Sequence, residues 1–253
     1  MDTTERVIAT VAFLARDREF HGVTEICTAL GITKATAHRI LSSLSRLNWV
    51  ERNPRLRKYR MGVAATRIGL AMMSNFDLVT ASAPYMFRLV ELTKETVMLT
   101  MRVGLERMYI QQVPGIHEVR QTVELGKLYP LWNGAPGEAI LAYLEESEIN
   151  LVIDKLRDSR MKVLASGQVL VVEELRKSLE EIREKGFAVS TGKRIPGARS
   201  VAAPIFDFNS QVIGAISVGG PSSRCTLEVA IQTGPSVSGA AKSISMRLGN
   251  FGR

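Results

Sequence analysis

The sequence predicts an α/β (α+β) chain in two parts: a small basic helical unit carrying a short hairpin, then a larger domain of mixed strands and helices. Three observations predict this. The positive charge is concentrated at one end, helical periodicity runs through the first 47 residues, and strand-like alternation begins near residue 97. At 253 residues, 45% hydrophobic and 23% charged, the chain is long enough for two ordinary domains with buried cores. Residues 1–70 carry twelve Lys or Arg against six Asp or Glu, so +6 of the formal +8 lies in about the first quarter. A basic surplus confined to one small unit is the footprint expected for a polyanionic partner.

Three helical segments can be read at the N-terminal end. In the first, Val7, Val11 and Leu14 recur at helical spacing after Thr3 and Thr4, which can serve as caps. The second starts at Thr24 as a cap, with Ile26, Ala29 and Leu30 as its inward stripe, and Gly31 stops it by taking the left-handed conformation. Thr33 then caps a third helix, Lys34 to about Leu47, with Ala37, Ile40, Leu41 and Leu44 on one face. Opposite them fall Ala35, Arg39, Ser42 and Arg46, flanked by His38 and Ser43, with Thr36 in the first turn. Small, hydroxyl and basic residues on one face let a helix approach a phosphate-lined groove closely. A short helix, a glycine turn and such a helix make a helix-turn-helix.

The next stretch adds a wing. Trp49–Arg52 and Lys58–Met61 read as extended segments around Asn53-Pro54-Arg55, and residues 51–60 hold five basic groups and one acid. Arg55, Arg57, Lys58 and Arg60 would line the tip and outer edge, where they can reach phosphates or a minor groove. Tyr59 and Met61 would pack inward. His38 reads equally as a base contact or a solvated helix residue, and Cys27 as a packed core residue.

The runs Glu5-Arg6-Val7, Val23-Thr24-Glu25-Ile26, Leu30 to Leu41 and Tyr59-Arg60-Met61-Gly62 resemble IclR-type transcriptional regulators. Later segments are similar too: Tyr129 to Gly137, Lys185 to Val189, Val201-Ala-Ala-Pro204 and Ala215 to Pro221. The resemblance implies a winged helix-turn-helix over residues 1–63, a linker helix over 64–82 and a GAF-like effector-binding domain with a central antiparallel sheet over 83–253. By position it implies an effector pocket at Trp132, Gly134, Ala135, Ser190, Ser200 and Ser217. Acids common in the family are missing at Ser190 and Gly192. That suggests a neutral pocket for a neutral or aromatic effector rather than a small dianion, unless the serines only cap local backbone.

Read from the residues, the linker is amphipathic and helical, with Ile68-Gly69-Leu70 as an interruption and Pro84 starting a new helix. Val97–Val103 and Met108–Val113 form a hairpin across Gly104. A helix follows the turn at Asn133, another spans Glu173–Lys185, and strands at 201–206 and 212–218 flank Asn209-Ser210. A last helix, kinked or split at Gly234-Pro235, ends near Leu248.

An enzyme is a poor reading. Two of the three histidines, His21 and His38, lie in the basic unit and the third is His117, and no metal-ligand spacing appears. Gly219-Gly220-Pro221 is no phosphate loop, and the pocket serines have no evident base. The two cysteines make neither a disulfide framework nor a zinc site, so neither cofactor nor metal is expected. No apolar run reaches membrane-spanning length and no secretory signal precedes the first helix, which points to the cytoplasm and no membrane partner. The expected partners are a near-palindromic double-stranded DNA operator, a small-molecule effector and a second copy of the chain, as a dimer or dimer of dimers. Repression is the expected output because occupying a promoter needs nothing beyond binding. Activation is the alternative, and a ligand-independent DNA-binding protein a further one.

Overall fold

Helix α1 (Thr3–Leu14) starts from a reciprocal cap: the Asp2 carboxylate accepts from the Glu5 amide, and the Glu5 carboxylate from the Asp2 amide. Thr3 and Thr4, expected as caps, therefore fall inside the helix. The computed structural model describes residues 2–17, 19–74, 77–158, 163–165, 167 and 169–250. Helix α2 (Val23–Leu30) begins at Gly22 rather than Thr24, because the Glu25 side chain reaches back to the Gly22 amide at 3.3 Å. Ile26 is buried and Leu30 half-buried, whereas Ala29 is exposed, contrary to the expected stripe. Gly31 ends the helix at φ +63°, as the sequence predicts.

Helix α3 (Lys34–Arg46) is capped by Thr33, whose Oγ1 accepts from the Thr36 amide, and it buries Ala37, Ile40, Leu41 and Leu44. Ile40, Leu41 and Leu44 join Phe13, Leu14, Ile26, Val50 and Tyr59 in one small core. The wing is a three-stranded antiparallel sheet. Strand β3 (Lys58–Met61) lies between β2 (Val50–Asn53) and the two-residue β1 (His21–Gly22), which the sequence does not announce.

Helices α4 (Val63–Ser74) and α5 (Asp77–Thr93) follow, and the chain divides into compact units at Phe76 and Asp77. Gly69 lies within α4 and Pro84 within α5, so neither interrupts or starts a helix as expected. A mid-helix proline loses one backbone hydrogen bond. In α5 the burial of Leu78, Ala81, Met86 and Leu89 on one face outweighs that loss.

The second unit holds a six-stranded antiparallel sheet of order β6-β5-β4-β9-β8-β7. Its strands are β4 (Thr96–Val103), β5 (Glu106–Val113), β6 (Leu128–Pro130), β7 (Ala188–Thr191), β8 (Ala198–Phe206) and β9 (Val212–Pro221). One face packs on α6 (Ala135–Leu141), α7 (Glu146–Asp158) and α8 (Val172–Lys185), with Ala188, Ala202 and Ala215 from the strands in their shared core. Strand alternation sends Val201 and Ala203 to the other face, where α9 (Leu227–Arg247) packs on β8 and against α5. Helix α9 runs unbroken through Gly234-Pro235. Gly234 is buried, and a Cβ there would stand 2.3 Å from the Phe187 ring, so this glycine serves close packing and not a break.

Candidate functional site

Two surfaces hold the residues singled out in the sequence. The first is the outer face of α3 with the wing. Thr24, Thr33, Lys34, Ala35, His38, Arg39, Ser42 and Arg46 are exposed, and Thr36 and Ser43 half-buried. Thr36 Oγ1 lies 3.0 Å from Thr33 Oγ1, and Arg46 donates to Ser43 Oγ at 3.3 Å. At the wing tip the Asn53 side chain accepts from the Arg55 and Leu56 amides, and Arg57 takes a positive φ of 52°. This turn projects Arg55, Arg57 and Lys58 outward, and all three are exposed. No salt bridge among the described residues engages Lys34, Arg39, Arg46, Arg55 or Arg57. Arg60 differs: its guanidinium is bound to Glu51 across the β2–β3 pair and lies 4.5 Å from the Phe20 ring centre. Its charge is committed within the wing.

Beneath this face His21 ties the unit together. Nδ1 lies 2.7 Å from Glu25 and Nε2 2.9 Å from Asp17, and the ring meets Phe13 edge-on. The hydrogen bond to Glu25 raises the His21 pKa above its ordinary value, opposed by burial and assisted by Asp17. In its protonated form the ring donates to both carboxylates. One side chain thus links the end of α1, strand β1 and helix α2.

The second surface is a narrow cavity on the α6 face of the large sheet. Strand register sets its wall: Ser190 pairs with Ser200, Ser200 with Gly219, Ala202 with Ser217, and Ser217 with Met98. Directly paired and alternate residues share a face, so Met98, Ser190, Ser200 and Ser217 all lie on this side. A register shift between Leu99 and Thr100 in the β4–β5 pairing then lines up Thr100 with Tyr109 and Arg102 with Arg107. This bulge carries Arg107 and Tyr109 onto the same face.

Of the six expected pocket residues, Gly134, Ser190 and Ser200 line the cavity. Trp132, Ala135 and Ser217 are buried among its surroundings, and Ser217 Oγ donates to the Met98 carbonyl at 3.4 Å. Gly134 adopts φ +88°, and a Cβ built there would lie 4.0 Å from both Arg107 Nη2 and Ser190 Oγ. The sequence reading missed Arg107, Tyr109, Gln121, Lys193, Arg194 and Arg199, all lining the cavity. Among the described residues the lining holds no acid, as the missing family acids suggest, but Arg107, Lys193, Arg194 and Arg199 keep it from being neutral. Lys193 is paired with the buried Glu138, which also accepts from Ser178. Arg199 donates to Thr191 Oγ1 and the Cys225 carbonyl, both uncharged. The strand alternation Arg107-Met108-Tyr109 was the available signal, for it puts a charge and a phenol on one inward face.

A helix-turn-helix with a basic wing, followed by a sheet domain enclosing a polar cavity, defines a ligand-responsive DNA-binding regulator. The IclR helix-turn-helix domain matches residues 3–54, and the bacterial transcriptional regulator IclR C-terminal domain matches residues 70–246. The chain belongs to the IclR family of transcriptional regulators, which are not enzymes. It is 32% identical over 247 residues to the HTH-type transcriptional repressor AllR of Salmonella typhimurium, covering 97% of this chain and 89% of that one. The Escherichia coli K12 repressor of the same name is 30% identical over 245 residues, with the same shares covered. An IclR regulator structure from Alicyclobacillus acidocaldarius superposes with a TM-score of 0.87 at 27% identity, covering 98% of each chain. An IclR homolog from Microbacterium hydrocarbonoxydans, complexed with 4-hydroxybenzoate, has a TM-score of 0.83 at 21% identity, covering 98% of this chain and 99% of that one.

Proposed function

We propose that the chain is an effector-controlled repressor that binds a near-palindromic operator as a homodimer or a dimer of dimers. The observation that carries this is the α3 face: Lys34, Arg39, Ser42 and Arg46 stand exposed on a helix whose opposite side is wholly buried. On this reading α3 enters the major groove with Arg39 at a base edge, and Thr33, Ser43, Arg55, Arg57 and Lys58 position the domain on phosphates. Thr24, Ala35, Thr36 and His38 complete the contact surface, and Arg60 braces the wing.

The cavity residues Gly134, Ser190 and Ser200 are the input, with Trp132, Ala135 and Ser217 supporting their walls. Binding there shifts operator affinity by a coupling free energy of about 1–3 kcal/mol, roughly 5–150-fold. The names of the relatives favour repression over activation. No helix among the described residues is long and apolar enough to cross a membrane, which agrees with action in the cytoplasm. In vitro selection from random duplex DNA tests the reading: a two-fold-symmetric sequence should be enriched and lost with Arg39→Ala. Enrichment of no sequence would overturn it.

A further inference from the structure

We propose that Ala35 and Arg39 together read a thymine and a neighbouring guanine in each operator half-site. Ala35 makes apolar contact with the C5-methyl of the thymine, and Arg39 donates to the guanine edge; this rests on the reading of α3 as the helix that enters the major groove. Burial fixes which side of α3 faces outward. Ala37, Ile40, Leu41 and Leu44 are all buried, so the helix cannot rotate without exposing its core side. The outward stripe is then Ala35, Arg39, Ser42 and Arg46, at helical spacing and all exposed.

Groups around that stripe divide into those free to reach a base and those already engaged. Thr33 Oγ1 accepts from the Thr36 amide at 3.2 Å and lies 3.0 Å from Thr36 Oγ1, so both hydroxyls of the first turn are occupied in capping. Arg46 donates to Ser43 Oγ at the far end of the helix. Lys34 ends in a point charge, which suits a phosphate. What remains at the leading end is the bare methyl of Ala35, with Arg39 one turn behind it. The planar fork of Arg39 matches the two acceptors of a guanine edge. A side chain of one carbon lets the backbone come close to the groove floor, where the thymine methyl is the apolar group a base presents. Four residues of helix span roughly 6 Å, and successive bases are stacked about 3.4 Å apart. The thymine therefore stands within two base pairs of the guanine.

The test uses the full chain and the duplex it enriches from random DNA, with binding read by fluorescence anisotropy. Each thymine is replaced in turn by uracil, which removes only the C5-methyl, and each guanine by 7-deazaguanine, which removes the N7 acceptor. One thymine per half-site should weaken binding about three- to tenfold when changed to uracil. It should lie within two base pairs of a guanine whose 7-deaza replacement also weakens binding. Ala35→Gly should bind the thymine and uracil duplexes alike while still responding to 7-deazaguanine, and Arg39→Met should show the reverse. Were Ala35→Gly unfolded by circular dichroism, Arg39→Met decides: it must keep the uracil effect and lose the guanine one. The proposal is overturned if no uracil substitution weakens binding, or if Ala35→Gly keeps the full uracil effect. It is equally overturned if Arg39→Met keeps the guanine effect, or if the sensitive thymine stands further from the guanine. Each of these outcomes leaves the repressor reading standing, because a duplex has been selected and bound; a wild-type chain that enriches no duplex overturns both.

Discussion

Arg107 Nη2 donates to the Asn133 carbonyl at 2.6 Å, tying the inward face of strand β5 to the loop that enters helix α6. The same side chain passes beside Gly137, where a Cβ would stand 3.0 Å from Nε and 2.3 Å from the Leu131 carbonyl oxygen. Backbone and guanidinium thus share a space that only glycine leaves open.

Gly137→Ala should therefore destabilise the C-terminal unit by about 1–3 kcal/mol or more through overpacking. The Leu131 carbonyl, being backbone, cannot swing aside. The denaturation midpoint in urea would show it; an unchanged midpoint would mean that the loop yields easily.

Arg57→Ala should weaken binding to all duplexes alike and reduce the slope of log affinity against log salt by about one unit. Arg39→Ala should instead lose discrimination between the selected operator and random DNA. Arg60→Ala, whose charge is tied to Glu51, should leave the salt slope nearly unchanged. Anisotropy titrations at several salt concentrations separate the three; equal slopes for Arg57→Ala and wild type would refute the wing's placement on phosphates.

His21 should make the N-terminal unit's stability depend on pH at both ends. Its pKa is raised by Glu25 first, so its contribution is fully present below the unfolded value of about 6.5 and is lost as pH rises through the folded value. The Asp17 and Glu25 carboxyls are held below their ordinary range, Asp17 first by the Glu19 amide and then by His21, Glu25 first by His21. Their contributions are present above the unfolded values and fade as pH falls through the folded ones. The stability gap between wild type and His21→Gln should shrink as pH rises above the unfolded value of about 6.5 and through the folded one, read in urea titrations. A gap that widened over that range would show that the imidazole is held neutral.

Leu41→Ala should cost about 2–5 kcal/mol, because Leu41 is fully buried where α3 meets the small core. Circular dichroism melts of the full chain should show the N-terminal transition falling while the C-terminal one stays in place. A single coincident shift of both would mean that the two units unfold together.

The helix-turn-helix of the N-terminal unit was largely legible because its signals are local. Ala37, Ile40, Leu41 and Leu44 recur at helical spacing, and Gly31 and Thr33 mark a boundary with their own backbone chemistry. Where local rules failed, a side chain from a few residues away had intervened. Glu25 moved the start of α2 back to Gly22, and burial carried α5 and α9 through Pro84 and Pro235. The cavity was read only in part: Gly134, Ser190 and Ser200 stand in its wall, while its cations went unassigned.

By itself, then, the sequence determined a basic helix-turn-helix with an arginine-bearing wing, since periodicity, capping and turn chemistry act within a few residues. Only the tertiary structure decided the character of the cavity. Arg107 and Arg194 stand far apart along the chain and meet over Tyr109 and Tyr129. What brings Arg107 and Tyr109 to that face is strand register and one bulge between β4 and β5. Two cations meeting over one tyrosine pair are a property of the fold, and no residue's own chemistry announces them.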